Sequence, residues 1–374
     1  MKSRLSWLAC AGVLALAACA APVTRSAPGY RLVGYVVREA EPAGIAAENL
    51  TALNFAFAQI DKSGAVVLER AADADYLTRL RVLKSRNPRL QLLLSVGGWG
   101  ADGFSDAALS PQSRARFADS AAQLLTQHQL DGLDIDWEYP GLPGSGIVHR
   151  AEDRQNFTAL LLALRQRLDR LAGERHRRDD PYLITAALAD REFVANIELG
   201  RVGAVLDWIN LMTYDFHGSL TQTTGHHSAM RRSRTSAPDE RSVESAVAQF
   251  VAAGVPARKL VVGVPFYGKE FLDVQPANHG LDQAFGGQVP VHPWPQLVAE
   301  FIDRNGYARY WDETAQVPYL WNAQTHAFIS YDDPQSLALK AGFVKTHHLG
   351  GMMYWEQSLD PKGELLDVLA RGLR

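Results

Sequence analysis

The stretch Leu133-Asp134-Ile135-Asp136-Trp137-Glu138-Tyr139 alternates apolar and acidic side chains. A period of two is that of a β-strand, so the pattern predicts a strand with three carboxylates on one face. Like charges a few ångströms apart repel each other, and Asp and Glu are poor strand formers. Such a strand offers little to a structural protein, but it suits an enzyme that holds a proton on one carboxylate.

The rest of the chain repeats one arrangement: a short apolar strand, a polar loop and an amphipathic helix. This order favours an α/β fold with a parallel sheet, and the number of strands fits a (β/α)8 TIM barrel. The predicted strands cover residues 31–37, 50–58, 92–99, 133–139, 182–188, 206–214, 260–266 and 350–355. The predicted helices cover residues 72–85, 113–127, 153–171, 242–253, 334 onwards and 364–373.

The segment between strands 7 and 8 is too long for a single helix. It contains three short aromatic stretches that are typical of strands. We therefore expect a small α+β insertion at about residues 268–333, forming one wall of a cleft.

Composition excludes several classes of protein. The chain has 374 residues, 47% of them hydrophobic, and a formal net charge of -3, which indicates a globular protein with a large core. Nothing in this charge balance points to nucleic acid. No dinucleotide fingerprint, P-loop or HExxH motif occurs, so we expect no cofactor and no metal. We also expect a monomer. Five histidines could suggest a metal site, but their spacing favours paired or surface residues: His217, His226, His227, His347 and His348.

The first 19 residues read as a signal peptide. A basic start is followed by an apolar segment too short to span a bilayer, and the segment ends in Leu16-Ala17-Ala18-Cys19. This ending resembles a bacterial lipobox with Cys19 as the lipidated residue; an ordinary secretory cleavage site is the alternative. We expect residues 20–29 to be a linker and 30–374 the catalytic barrel. The protein would be exported and lipid-anchored at a bacterial outer membrane, otherwise periplasmic or secreted, with no other membrane contact.

In a barrel, the residues that act lie at the carboxyl ends of the strands. Four predicted strand ends carry unusual residues: Ser95–Trp99, Asp134–Glu138, Met212–Asp215 and Tyr354–Glu356. They would converge on one acidic and aromatic mouth. Such a mouth suits a sugar, because aromatic faces stack on pyranose rings and carboxylates bind hydroxyl groups.

These residues resemble a known family. Asp131, Asp134, Asp136 and Glu138 match the DxxDxDxE signature of the family 18 glycoside hydrolases, the chitinases. The SxGG motif at residues 95–98, the MxYD motif at 212–215 and Trp355 extend the match, in the family's strand order, over about residues 30–373. The resemblance implies a TIM barrel that hydrolyses β-1,4 linkages of N-acetylglucosamine polymers, with chitin or its oligosaccharides as the partner.

The resemblance also implies roles for four catalytic residues. Glu138 would protonate the glycosidic oxygen, and the 2-acetamido oxygen of the substrate would attack in place of an enzyme carboxylate. Asp136 would hold the acetamido N–H, and Tyr214 would donate to its carbonyl oxygen. Asp134 would lie behind Asp136 and tune its charge. Crowding of like charges is expected to raise the pKa of Glu138.

Further residues are assigned around this centre. Asp131 is off the acidic face, so we expect it to be structural, at the turn that leads into the strand. Gly97 and Gly98 fit either a plain turn or close approach to the sugar. Asp215 is expected to bond a sugar hydroxyl group. The remaining residues expected to contact substrate are Tyr35, Phe57, Trp99, Tyr139, Met212, Tyr267 and Trp355.

Two departures and two alternatives stay open. The family usually has Arg where this chain has Lys269, so a bidentate donor to the sugar would become a point charge. The family often has Trp where this chain has Leu220, and the missing aromatic platform puts processive action on crystalline chitin in doubt. One alternative is an endo-β-N-acetylglucosaminidase acting on glycoprotein or peptidoglycan glycans. The other is a non-catalytic chitin-binding lectin, although such proteins usually lose the acid that Glu138 provides.

Overall fold

The computed structural model describes residues 29–374 and confirms the predicted barrel. Eight parallel strands pair in sequence order, and the first strand pairs with both the second and the last, which closes the sheet. A short antiparallel strand, β3, lies beside the second. The strands of this sheet are β1 Arg31–Val36, β2 Ala52–Ile60, β3 Val66–Leu68, β4 Gln91–Gly97, β5 Gly132–Asp136, β6 Leu183–Leu188, β7 Trp208–Leu211, β8 Leu260–Pro265 and β14 Gly351–Trp355.

Helices surround the barrel. They are α1 Ala71–Arg81, α2 Leu83–Arg86, α3 Phe104–Leu109, α4 Pro111–His128, α5 Asp153–Glu174, α6 Leu199–Val205, α7 Val243–Ala252, α8 Trp294–Gln296, α9 Pro334–Thr346 and α10 Glu364–Leu373. Short 3-10 turns cover residues 42–44, 47–49, 191–194, 257–259, 277–280 and 357–359, and a π-helical turn covers 297–301.

Two helix starts follow the expected capping chemistry. Ser242 accepts a hydrogen bond from the backbone N–H of Ser245 at the start of α7. Asp333 accepts hydrogen bonds from the N–H groups of Gln335 and Ser336 at the start of α9, and Pro334 occupies the first helical position. These caps fix where the two helices begin relative to the barrel.

Several predicted boundaries were wrong. The helix expected over residues 72–85 is two helices, α1 and α2, joined at Val82, and α3 was not predicted. The acidic strand ends at Asp136, so Glu138 lies beyond the sheet. The sixth strand ends at Leu211, because the backbone turns into a loop before Tyr214. In both cases the chain leaves the strand where it enters the mouth of the barrel.

The predicted insertion is a second sheet. Its strands run antiparallel in the order β10-β9-β13-β12-β11. They are β9 Tyr267–Phe271, β10 Val291–Pro293, β11 Tyr307–Asp312, β12 Val317–Asn322 and β13 Ala327–Ser330. Because β9 starts directly after β8, the insertion carries Tyr267 and Lys269 to the mouth of the barrel.

Two apolar layers hold the barrel together. The outer layer lies between strands and helices and includes Leu133, Ile135 and Trp137 of the acidic stretch. The inner layer fills the barrel beneath the mouth, and Tyr35 and Tyr214 belong to it. The alternation of the stretch thus places its apolar side chains outward and its acids inward. Among residues 29–374, no helix is long and apolar enough to cross a membrane.

Candidate active site

Asp134 is the most completely bonded acid of the site. Strand register places Ser95 of β4 and Thr185 of β6 on either side of it. Its Oδ2 accepts hydrogen bonds from Tyr35 Oη at 2.7 Å and Ser95 Oγ at 2.8 Å, and its Oδ1 accepts from Thr185 Oγ1 and, at 3.2 Å, from Asn210 Nδ2. Burial raises the pKa of Asp134, and these four neutral donors oppose that rise. The carboxylate is therefore rigid, and its position is fixed by donors from the neighbouring strands β4 and β6 and from β1 and β7 across the barrel.

Asp136 lies one layer above Asp134 and has the opposite environment. Its side chain is buried, and its Oδ1 has no hydrogen-bond partner among residues 29–374. Burial raises the pKa of Asp136 well above its usual range, and the charges of Glu138 and Asp134 raise it further. A buried acceptor without a donor is costly, so this oxygen is available for a donor that the protein itself does not provide.

Glu138 has the proton affinity of an acid that works near neutral pH. Burial raises its pKa to about 7, and the charge of Asp215 contributes to the increase, while a hydrogen bond with Tyr139 opposes it. From the sequence we expected crowding by the strand's own acids to raise this pKa. Instead burial comes first, because Glu138 lies beyond the strand end and enters the walled mouth of the barrel.

Tyr214 and Asp215 follow β7 and face these acids. Tyr214 is buried in the inner layer, and after burial itself the charges of Asp136, Asp215 and Glu138 raise the pKa of its hydroxyl group. Asp215 Oδ1 accepts a hydrogen bond from Tyr267 Oη at 2.7 Å. The Tyr214 hydroxyl group is thus a neutral donor close to both Asp136 and Glu138.

Lys269 pairs with Asp215, with Nζ 2.7 Å from Oδ1. Burial raises the pKa of Asp215, but His227 and Lys269 outweigh burial and hold that pKa well below its usual range. Lys269, which stands where the family usually has Arg, therefore still pairs a cation with this carboxylate. The ammonium group makes a single contact, whereas a guanidinium group could make two.

Aromatic rings form a platform at the mouth. Trp355 lies 5.5 Å from Tyr35 and stacks on Phe57 at 5.7 Å between ring centroids. Phe57 reaches this position because the register of β2 against β4 shifts between Ala56 and Ala58. The contact between Phe57 and Trp355 does not follow from a regular strand, because strand alternation would point Phe57 outward together with Leu53 and Phe55.

A second aromatic pair lies at the rim. Trp99 is 54% exposed and meets Tyr139 edge-on at 6.3 Å. Tyr139 in turn packs on Phe193 at 4.5 Å. Leu220 is 80% exposed, while Met212 is half-buried against the inner layer. An exposed indole beside a supported ring is a surface on which a sugar can stack.

The two glycines of the SxGG motif are required by protein contacts. At Gly97 (φ 119°) a Cβ would lie 2.0 Å from the backbone oxygen of Asp136. At Gly98 (φ 94°) it would lie 2.7 Å from the ring of Phe57. These contacts favour the turn explanation, and close approach to a sugar stays a prediction.

Asp131 lies at the other end of β5. Its Oδ2 accepts hydrogen bonds from Lys84 Nζ at 2.5 Å and from the backbone N–H of Leu92 at 2.8 Å, and its Oδ1 lies 3.4 Å from Arg177. These contacts connect the start of β5 to the start of β4 and to the side chains of Lys84 and Arg177. Asp131 therefore has the contacts expected of a structural residue.

Some sequence expectations about this region were incomplete or wrong. Glu356 was placed with the strand ends that form the mouth, but it caps the following turn by accepting from the N–H of Ser358. Thr185 and Asn210 were missed. Each could have been identified as a polar side chain at an inward position of an otherwise apolar strand, at the level of the acids.

Each histidine of the loop after β7 lies within 4 Å of an acid. His217 Nε2 lies 3.1 Å from Glu240, and His226 Nε2 lies 3.1 Å from Asp312. His227 lies beside Asp215. Within residues 29–374, no group of three His, Cys, Asp or Glu side chains is arranged to hold a metal ion.

Comparison with known proteins agrees with this geometry. A model of glycosyl hydrolases family 18 matches residues 31–360. Chitinase A1 of Niallia circulans is 40% identical, with 80% of this chain and 45% of that protein covered, and mouse chitotriosidase-1 is 36% identical, with 82% and 66% covered. The chain thus spans about half the length of the first relative and two thirds of the second.

A solved structure shares the whole architecture. A family 18 N-acetylglucosaminidase from Paenibacillus barengoltzii superposes with a TM-score of 0.85 at 39% identity, over 92% of this chain and 99% of that one. The barrel, the acids inside it and the family match over residues 31–360 lead to one conclusion: this chain belongs to family 18 of the glycoside hydrolases.

Proposed function

We propose that this protein is a chitinase. It hydrolyses β-1,4 linkages of N-acetylglucosamine polymers and oligomers, with retention of configuration and with Glu138 as general acid and base. The observation that carries this proposal is the unpartnered, buried Oδ1 of Asp136 beside a glutamic acid whose pKa is raised to about 7.

In the first step Glu138 gives its proton to the glycosidic oxygen. The bond from that oxygen to the anomeric carbon breaks, and the substrate's acetamido oxygen forms a bond to the same carbon. The acetamido N–H becomes more acidic as this happens and donates to Asp136 Oδ1. Tyr214 donates to the acetamido oxygen and orients it. Asp134 fixes the charge behind Asp136 through its hydrogen bonds to neutral donors.

In the second step water opens the ring formed by the acetamido group. The water oxygen bonds to the anomeric carbon, the carbon–acetamido oxygen bond breaks, and Glu138 takes a proton from the water. Glu138 thus returns to its acid form, and two inversions give net retention. Burial and the nearby charge of Asp215 keep the pKa of Glu138 suited to both roles.

The names of the relatives support a substrate built from N-acetylglucosamine. Two are chitinase-type enzymes, and the solved structure is that of an N-acetylglucosaminidase. The last name favours a second candidate, an N-acetylglucosaminidase, for which glycoprotein or peptidoglycan glycans are alternative substrates to test. Mass spectrometry of products from N-acetylglucosamine hexamers, beside a glycoprotein and peptidoglycan, separates these functions by product length and substrate.

A matched substrate tests substrate assistance. Glucosamine hexamers lack the acetamido group and therefore the nucleophile, so they should not be hydrolysed. Cleavage of fully deacetylated oligomers at a rate similar to that of acetylated ones would contradict the mechanism.

We also propose that residues 1–19 direct export, with Cys19 as the lipidated residue, that residues 20–29 are a tether, and that residues 30–374 are the catalytic unit, active as a monomer. The first 28 residues lie outside those that the structure describes. Cys19→Ser should release the protein from bacterial membranes into the soluble fraction. A wild-type protein that is already soluble would rule out the lipid anchor.

A further inference from the structure

His227 is a fully buried histidine at the side of the catalytic cleft. Its Nδ1 lies 3.6 Å from Asp215 Oδ1, and its ring lies 5.4 Å from the ring of Tyr267. Neither ring nitrogen has a hydrogen-bond partner in the part of the chain that the structure describes. Buried polar groups are nearly always paired, so an unpaired imidazole facing a carboxylate of the cleft calls for an explanation.

The backbone of His227 is held from two sides. Its N–H donates to Ser330 Oγ at 2.9 Å, at the end of β13, and its carbonyl oxygen accepts from the N–H of Phe216 at 3.1 Å. The ring therefore has a fixed place between the insertion and the loop after β7. Asp215, whose side chain is 48% exposed, is the member of the pair that faces the cleft opening.

The contacts of Asp215 are concentrated on one oxygen. Oδ1 accepts from Tyr267 Oη and from Lys269 Nζ, both at 2.7 Å, and the same atom faces His227. All three groups hold the carboxylate on the insertion side of the cleft. Asp215 is also the residue whose charge raises the pKa of Glu138, so whatever orients Asp215 affects the general acid.

We propose that His227 is a positioning residue that acts through Asp215 and sets the pH at which Glu138 loses its proton. This inference rests on the proposed function. A displacement of about half an ångström brings Nδ1–H of His227 into hydrogen-bonding distance of Asp215. With Lys269 and Tyr267 it then keeps the negative charge on the insertion side, which limits repulsion at Glu138.

The surrounding charges define how His227 acts. It faces Asp215, Lys269 and Tyr267, and Asp332 lies further along the chain after β13. Burial lowers the pKa of His227 below its usual value, and Lys269 adds to this, although Asp215 opposes it. His227 is therefore neutral where Glu138 titrates, and it acts as a hydrogen-bond donor. The groups that face Glu138 are Asp136, Tyr139, Tyr214 and Asp215.

The test compares two replacements of His227. His227→Leu removes the donor, so the carboxylate of Asp215 is less restrained and repels the ionised form of Glu138 more. The basic limb of the pH profile of kcat/KM on N-acetylglucosamine oligomers should move up by about half a pH unit. His227→Asn places an amide N–H where Nδ1 was, and should return the limb to its wild-type position.

His226→Gln is the matched control, because His226 is equally buried but pairs with Asp312 and packs on Tyr319 at 5.7 Å. It should leave the limb in place. If His227→Leu does not fold, His227→Gln can be used instead, because its amide occupies the position of Nε2 and does not supply the donor that Nδ1 provides to Asp215. A limb that stays at the wild-type pH in the leucine or glutamine variant overturns the inference. A wild-type protein without activity on any acetylated oligomer would instead defeat the proposed function.

Discussion

The two ends of strand β5 carry acids in opposite environments. At the amino end, Asp131 contacts two cations, Lys84 and Arg177, and the backbone of β4. At the carboxyl end, Asp134 is bound by neutral donors. Burial raises the pKa of both Asp136 and Glu138, and the charge of Glu138 raises that of Asp136 further. One short strand therefore has an ion-paired acid at one end and a group of buried acids with raised pKa values at the other.

These two environments distinguish acids that stabilise the fold from acids suited to proton transfer. A carboxylate that meets cations gains an ion pair and contributes to stability. Carboxylates that are buried with only hydroxyl groups, amides and each other have raised pKa values, which is costly for folding and useful for catalysis. Substitutions at the two ends should consequently affect different quantities.

The largest effect is expected at the carboxyl end. Glu138→Gln removes the proton donor but keeps the shape, so kcat on N-acetylglucosamine hexamers should fall by about 10³-fold or more. Thermal melting and binding of the hexamer, measured by calorimetry, should stay close to wild type. Turnover that survives this substitution would refute the assignment of Glu138.

The pH dependence tests the same residue without a mutation. Glu138 must be protonated to act as an acid, and its pKa is raised to about 7, so kcat/KM should fall as pH rises through that value. Two pH units above this pKa, kcat/KM should be about 100-fold lower. Steady-state rates between pH 5 and 9 measure this limb; a limb near the usual pKa of Glu, about 4.3, would contradict the raised pKa.

At the amino end the expected loss is one of stability. Asp131→Asn leaves Lys84 without its anion, while Arg177 keeps its ion pair with Asp180 at 2.7 Å. The free energy of unfolding should fall by about 2 kcal/mol. Urea denaturation measures this loss. The kcat of the folded enzyme should change little, and a variant with wild-type stability but lost turnover would assign Asp131 to the chemistry instead.

A smaller effect is expected one layer below the acids. Tyr35→Phe removes a hydrogen bond to Asp134, so kcat should fall by about tenfold, the equivalent of one lost hydrogen bond to a charged group. Tyr76→Phe is the control, because Tyr76 is an equally buried tyrosine whose hydroxyl group donates to the backbone oxygen of Ala40 at 2.6 Å, away from the site. Equal losses of kcat in both variants would show that the effect is only one of packing.

Much of the fold could be predicted, because the spacing of apolar residues and the positions of capping and turn residues are local properties of the sequence. The inward acids, the caps at Ser242 and Asp333 and three of the five strands of the insertion, β11, β12 and β13, follow from neighbouring residues. Strands β9 and β10 were not predicted. Element ends were predicted less well. Strand β5 ends before Glu138 and β7 before Tyr214, since the geometry of the barrel mouth, and not propensity, decides where these strands stop.

The barrel, the family and the identity of the acids can be predicted from the chain alone, because the alternation in residues 133–139 and three motifs in strand order are local patterns. The differences between the acids arise only in the folded structure. Burial and the charge of Asp215 raise the pKa of Glu138, the proposed proton donor, and donors from β1, β4, β6 and β7 fix Asp134. These differences cannot be predicted from local sequence, because proton affinity depends on distance, burial and partners that residues far apart in the chain supply.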